Sequence, residues 1–344
     1  MKVLISGVAG FIGGHAAAAF LARGAKVVGF DNLSRRGNVQ NLAWLEAQSG
    51  DFTFAHCDIR NETDVIRLIA AHSDADVVVH LAGQVAVTTS VVNPRLDFES
   101  NALGTFNVLE AVRLHCPQAI FLFASTNKVY GGMEEIVVTE REGRYVYQDY
   151  PEGITEHAPL DFHSPYGCSK GTADQYVRDY SRIYGLKSVV FRQSCIYGTR
   201  QFGVEDQGWV AWFTIATVLG KPITLYGDGK QIRDLLWVED LVALYLRAIE
   251  RIDIAAGKVY NAGGGAANTL SLRELLALLS EQTGQEIKPT MADWRPGDQR
   301  VFVANSEKAK QELGWSPQVA PQEGVTRLLA WTRNSEALLR SVLG

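Results

Sequence analysis

Short apolar runs alternate with longer amphipathic stretches up to about residue 198. "KVLIS" (2–6), "KVVGF" (26–30), "FTFAH" (52–56), "DVVVH" (76–80), "AIFLFAS" (119–125) and "SVVFRQS" (188–194) are apolar throughout instead of alternating with polar residues. Strands covered on both faces look like this, because neither face meets water. Between them, 11–23, 62–72, 97–115 and 165–184 carry helical spacing. Strand and helix in turn predict an α/β fold, a doubly wound parallel sheet of the Rossmann type.

From residue 199 onward the rhythm is less regular. An aromatic-rich helix ("WVAWFTIATVLG"), a short strand ("ITLYG", 223–227) and an amphipathic helix ("LSLRELLALLSEQTG", 270–284) follow one another. The division expected is 1–198 as the nucleotide-binding domain, with 231–262 returning to it, and 199–344 mainly as a smaller α/β substrate lobe. That lobe would cover the carboxyl edge of the sheet, where ligands bind in open α/β folds.

Composition narrows the function classes. With 344 residues, 47% hydrophobic and 21% charged, the chain has ample material for a core. A net charge of −5 and scattered basic residues provide no surface for a polyanion, which argues against nucleic acid. No stretch approaches the ~20 apolar residues of a membrane span, and "MKVLISGVAG" enters structure without an apolar leader. Cys57, Cys116, Cys168 and Cys195 lack paired spacing and read as free thiols of a cytoplasmic protein. The seven histidines form no tight cluster, so no metal is expected.

The first candidate chemistry follows the first strand. "ISGVAGFIGGH" places Gly7, Gly10 and Gly13 where a strand turns into a helix. A pyrophosphate can approach backbone N–H groups at a helix N-terminus only where no Cβ stands in the way. Asp31 ends the second strand 18 residues after Gly13. A carboxylate there accepts from ribose hydroxyls and repels a 2′-phosphate, which favours NAD over NADP. Asp58 ends the third strand, within reach of an adenine or as a helix cap. "HLAGQVA" (80–86) ends the fourth with small residues that leave room for a flat cofactor.

The second lies further on. In "HSPYGCSK", Ser164 and Pro165 suit the start of a helix, and Tyr166 and Lys170, four apart, share one face. A tyrosine acting as a base near neutral pH needs its pKa lowered from about 10. Lys170, the helix N-terminus and an oxidised nicotinamide all act in that direction. Thr126, at the carboxyl end of the fifth strand, is placed to hold a substrate hydroxyl while Tyr166 takes its proton. Asn101 is expected to hold Lys170 through water.

Together the glycine loop, Thr126, Tyr166 and Lys170 resemble the extended short-chain dehydrogenase/reductase family, which acts on nucleotide sugars. "DNLSRRG", "HLAGQVAVTTS", "STNKVYG", "LDFHSPYGCSKG", "RQFGVEDQGWV" and "DWRPGDQRVFVA" are similar to its 2-epimerase branch. The resemblance implies bound NAD, held by Gly7, Gly10, Phe11, Ile12, Gly13, Asp31, Asn32, Ser34, Arg35, Asp58, Ile59, Leu81, Ala82, Gln84, Asn101, Tyr166 and Lys170. It implies a nucleoside-diphosphate sugar held by Thr126, Gln193, Arg200, Gln201, Phe202, Arg233 and Arg295, the two last on the diphosphate. The sugar expected is of the CDP-paratose/CDP-tyvelose type, or a CDP- or GDP-linked glucose or mannose. The 4,6-dehydratases of the superfamily carry an Asp–Glu pair directly after the threonine. Here Asn127 and Lys128 follow Thr126, and an amide cannot act as a general acid. Elimination is thereby disfavoured and reversible hydride transfer is left. A 4-epimerase, a net dehydrogenase and a non-catalytic NAD-binding protein are the rival readings. Helices 97–115 and 165–184 resemble the pair that forms a dimer contact in this family, which implies a homodimer or homotetramer.

Overall fold

The computed structural model describes residues 1–295 and 298–344. Its centre is a seven-stranded parallel sheet. The strands are β1 (Lys2–Ser6), β2 (Lys26–Asp31), β3 (Phe52–His56), β4 (Val77–His80), β5 (Ile120–Thr126), β6 (Lys187–Gln193) and β7 (Lys258–Ala262). Their spatial order is β7-β6-β5-β4-β1-β2-β3, and every pairing is parallel. The order reverses between β1 and β4, so a crevice opens above their carboxyl ends.

The apolar runs are explained by burial on both faces. Val3 and Ile5 enter one core layer with Phe20, Leu241 and Tyr245, while Leu4 enters the opposite layer with Val28, Val108 and Phe121. Alternate residues of one strand feed different layers, so none can be polar until the strand ends.

β7 comes late in the chain and sits at the sheet edge beside β6, and the preceding helix Val238–Glu250 packs on the helix Phe11–Leu21. The strand Ile232–Trp237 stays out of this sheet. It is the centre of a small one, pairing with Cys195–Tyr197, Thr269–Ser271 and Val301–Phe302. The chain passes between the two sheets at Ser194, whose hydroxyl donates to the buried Asp234.

Two expected helices differ in detail. The stretch 97–115 is not one helix: Pro94–Phe98 leads into a π-turn, Glu99–Leu103, before Gly104–His115 resumes the α form. Such turns widen a helix locally and occur often at functional sites. The stretch 165–184 begins at Ser164, whose φ of 63° is not helical and whose Oγ accepts from the Gly167 N–H at 3.2 Å. Ser164 therefore does the work of a cap, with Pro165 after it. A helix at Asn38–Glu46, a hairpin of Val138–Arg141 with Arg144–Tyr147, and the pairing of Thr224–Tyr226 with Thr290–Ala292 complete the parts that matter here. Among the described residues no helix is long and apolar enough to cross a membrane.

Candidate active site

The glycine turn lies at the mouth of the crevice. Gly7 has φ 70°, and a Cβ on it would come within 2.7 Å of the Ala82 nitrogen in the loop after β4. A Cβ on Gly13 would overlap the Gly7 carbonyl oxygen. Turn, helix and β4 loop thus meet at backbone contact, which only glycine permits. Gly13→Ala is expected to abolish dinucleotide binding and lower the yield of folded protein, as checked by NAD titration and circular dichroism.

Asp31 lies under this turn. It accepts from Ala9 N (3.2 Å), Leu33 N (2.7 Å) and Asn38 Nδ2 (3.1 Å). Burial pushes its carboxyl upward despite these bonds. Asn32 donates to Asp58 Oδ2 at 3.0 Å and accepts from Ser34 N at 3.1 Å, which fixes the loop after β2. Asp58 is paired with Arg60, at 2.9 and 2.7 Å, and this pair holds it well below the usual carboxylate range. It is not a helix cap, since Asn61 takes that position by accepting from Asp64 N. Ile59 is buried against Gly104. Phe11 and Ile12 open the first helix, and Arg35 donates to Gln207 of the other lobe at 2.8 Å.

On the far side of the crevice a polar chain runs beneath the loop after β4. Ser6 Oγ lies 2.6 Å from His80 Nδ1, His80 Nε2 lies 3.0 Å from Thr105 Oγ1, and Thr105 donates to the Asn101 carbonyl at 2.7 Å. Ser6 Oγ also accepts from the Leu81 and Ala82 N–H groups, at 3.0 and 3.1 Å. Burial lowers His80 to about 3, so the ring is neutral and one nitrogen accepts. Gln84 donates to Asp97 Oδ1 at 2.8 Å. Asn101 sits on the π-turn, where its amide donates to Asp97 (2.9 Å) and to the Gln84 carbonyl (3.0 Å). Its link to Lys170 is absent from these bonds, but its buried Oδ1 has no partner.

Thr126 ends β5, and Tyr166 lies in the first turn of its helix, its phenol near enough to Thr126 for the threonine to stabilise the phenolate. The Tyr166 N–H donates to Ser90 Oγ at 3.1 Å, which anchors the helix start. The chain's own groups do not by themselves lower the Tyr166 hydroxyl. Burial, with Asp97 adding to it, raises it to about 12, against smaller opposing effects of Thr126 and Arg35. Lys170 is buried and donates to the Ala124 carbonyl at 2.5 Å, 4.3 Å above the Phe123 ring. Burial lowers it to about 8. The chain's own charges therefore leave the phenol protonated, and a cationic nicotinamide is the further positive charge the arrangement lacks. Glycine turn, acid at the end of β2 and small residues after β4 all fit such a dinucleotide.

The substrate candidates divide. Arg233 lies on the small sheet, close enough to Lys128 for its charge to be felt there. Arg295 stacks 3.7 Å from the Tyr226 ring and pairs with Asp206 at 3.3 Å. Gln193 is buried at the end of β6, its amide donating to the Tyr245 hydroxyl. Arg200 was expected on substrate, yet its guanidinium lies 4.3 Å over Trp44 and 3.5 Å from Asn41 Oδ1, on the cofactor side of the cleft. Phe202 is seated on Gly37 in the loop after β2, and Gln201 is buried with its Oε1 unpartnered. The loop 200–207 thus reaches across to the dinucleotide half. Residues that sequence reading missed are Ser90, Asp97 and Gln299. Nothing local in the sequence marks any of the three. Glu134, Asp161 and His163 bring three possible ligand atoms within 4.8 Å of one another, but all are exposed and nothing else marks them as a metal site.

A switch-point crevice with a glycine turn on one side and a Thr–Tyr–Lys set on the other defines the extended short-chain dehydrogenase/reductases. Within them the chain belongs to the family described as GDP-mannose 4,6 dehydratase, whose model matches residues 4–328. It is 48% identical to CDP-paratose 2-epimerase of Salmonella typhi, over 96% of this chain and 99% of the relative. The structure resembles UDP-glucose 4-epimerase of Thermotoga maritima with UDP-glucose, with TM-score 0.84, 31% identity, and 98% and 100% of the two chains covered. It also resembles the Thermus thermophilus UDP-glucose 4-epimerase in complex with NAD, with TM-score 0.79, 33% identity, and 97% and 100% covered.

Proposed function

We propose that the chain is an NAD-dependent epimerase that inverts C2 of a nucleoside-diphosphate hexose of the CDP-paratose/CDP-tyvelose type. The observation that carries this is the 48% identity to a CDP-paratose 2-epimerase along nearly the whole of both chains. The residues after Thr126 support it. The family takes its name from a dehydratase, but Asn127 and Lys128 offer no carboxylate to remove a ring proton and expel a hydroxyl. Bound NAD supplies reversible hydride acceptance. Tyr166 takes the C2 hydroxyl proton, Thr126 holds the same oxygen, and Lys170 keeps positive charge beside them. The keto sugar turns its other face, and Tyr166 gives the proton back.

Proton NMR with CDP-paratose, and in parallel CDP- and GDP-glucose, in heavy water without added NAD, tests this. A C2-inverted product free of solvent deuterium is expected, because the hydride returns internally. Inversion at C4, or net NADH absorbance, would instead identify a 4-epimerase or a dehydrogenase.

A cytoplasmic homodimer completes the reading. Phe98, Phe106, Leu114, Tyr176, Ile183 and Tyr184 are exposed large apolar side chains on the segments 94–115 and 164–184, with Phe106 and Tyr176 in edge contact at 5.6 Å. A second copy would cover them. Light scattering is expected to give twice the mass of one chain, or four times for a dimer of dimers.

A further inference from the structure

Lys128 stands two residues after Thr126, on the 3-10 turn Asn127–Tyr130 that closes β5. The turn packs beside the Tyr166 helix: a Cβ on Gly167 would lie 3.2 Å from the Lys128 carbonyl oxygen. The ammonium is half-buried and donates to Gln299 Oε1 at 3.3 Å. Gln299 is itself buried and fixed by the Gly131 carbonyl. The charged groups facing Lys128 are Arg233, on the strand Ile232–Trp237, and Asp298, on the chain leading into Val301–Phe302. Burial, then Arg233, lowers the amine to about 8, with Asp298 opposing. A half-buried cation with a neutral amide as its hydrogen-bond partner is set to gain from an anion.

The chemistry of the substrate says which anion. In a nucleoside-diphosphate sugar, C1 carries the sugar-side phosphate. C2 is bonded to C1, whereas C4 lies across the ring. Presenting C2 to Thr126 and Tyr166 therefore draws that phosphate in beside the catalytic pair. Presenting C4 holds it at the far end of the sugar. We propose that Lys128 selects C2: with Arg233 it takes the sugar-side phosphate close to Thr126, so that the carbon next to the anomeric centre is the one that meets Tyr166. The phosphate so held is also the pivot about which the keto sugar turns. The inference rests on the C2 reading above and assigns the group that enforces it.

The test is calorimetric titration of the NAD-loaded enzyme with CDP against CMP, and with GDP against GMP, since a monophosphate lacks the sugar-side phosphate. Lys128→Met is expected to weaken diphosphate binding on the order of tenfold or more and to leave monophosphate binding unchanged. Lys128→Arg, which keeps the charge, should recover most of the loss. Wild-type affinity for the diphosphate should fall as pH rises through about 8, where the amine loses its proton, while Lys128→Met stays flat. Equal weakening of both nucleotides, or of neither, overturns the assignment whatever product the enzyme makes. Wild-type enzyme that binds neither diphosphate, or inverts C4, overturns instead the functional reading on which it rests.

Discussion

Tyr166→Phe is expected to lower the epimerisation rate by on the order of 10²–10⁴-fold, the usual worth of a positioned proton-transfer group. The ring keeps its packing and its backbone bond to Ser90, so circular dichroism and nucleotide affinity should be unchanged. The loss should appear in kcat, not in KM, because the phenol acts on the reacting oxygen. The pH profile checks the same group from another side. Burial holds the phenol up to about 12, so its deprotonated form is scarce at neutral pH until further positive charge is bound. The sign follows: kcat/KM of the wild type should rise with pH on the acid side as the phenolate fraction grows. In Tyr166→Phe that limb should be gone. Full activity in the phenylalanine variant, measured by NMR of the product, would remove Tyr166 from the mechanism.

The second large effect is on stability. Arg192 on β6 makes a two-pronged ion pair with Asp174, at 3.0 and 3.1 Å, and Asp174 also accepts from Ser125 Oγ at 2.8 Å. Both side chains are cut off from water, at 2% and 0% exposure. Arg192 further donates to the Tyr130 hydroxyl, which donates to Asn261 of β7. One buried charge cluster thus ties β5, β6, β7 and the Tyr166 helix together directly behind Thr126. Asp174→Ala strands the guanidinium and should cost about 3–5 kcal/mol of unfolding free energy, read by urea denaturation. The double variant Asp174→Leu/Arg192→Met should be less destabilised than Asp174→Ala alone, since no charge is left unpaired. An Asp174→Ala protein as stable as wild type would mean that water reaches Arg192.

The fold was legible because its signals are local. Two-sided burial makes each strand of the sheet an apolar run, and glycine is required where turn and helix touch, as at Gly7 and Gly13. The π-turn was not legible, because a helix of the same residues satisfies the same apolar spacing. It arises where Asn101 reaches down to Asp97 and the Gln84 carbonyl. The protein partners of Gln193 and Arg200 were not legible for a related reason. At the end of β6 either face was open to Gln193, and the nearness of Tyr245 decided it. Arg200 follows a loop whose path is set by Phe202 seated on Gly37, 165 residues earlier in the chain.

By itself the sequence determined the sheet, the dinucleotide turn, the identities of Thr126, Tyr166 and Lys170, and the missing carboxylates at Asn127 and Lys128. These are set by steric limits and by side-chain chemistry within a few residues. Only the tertiary structure decided the charge states and partners. The chain's own groups raise Tyr166 because of what buries it, and Asp174 finds Arg192 18 residues away. Lys128 finds Gln299 from 171 residues away, and Arg233 from the small sheet. Desolvation and long-range pairing depend on what the whole chain packs around a group, and no local pattern carries that information.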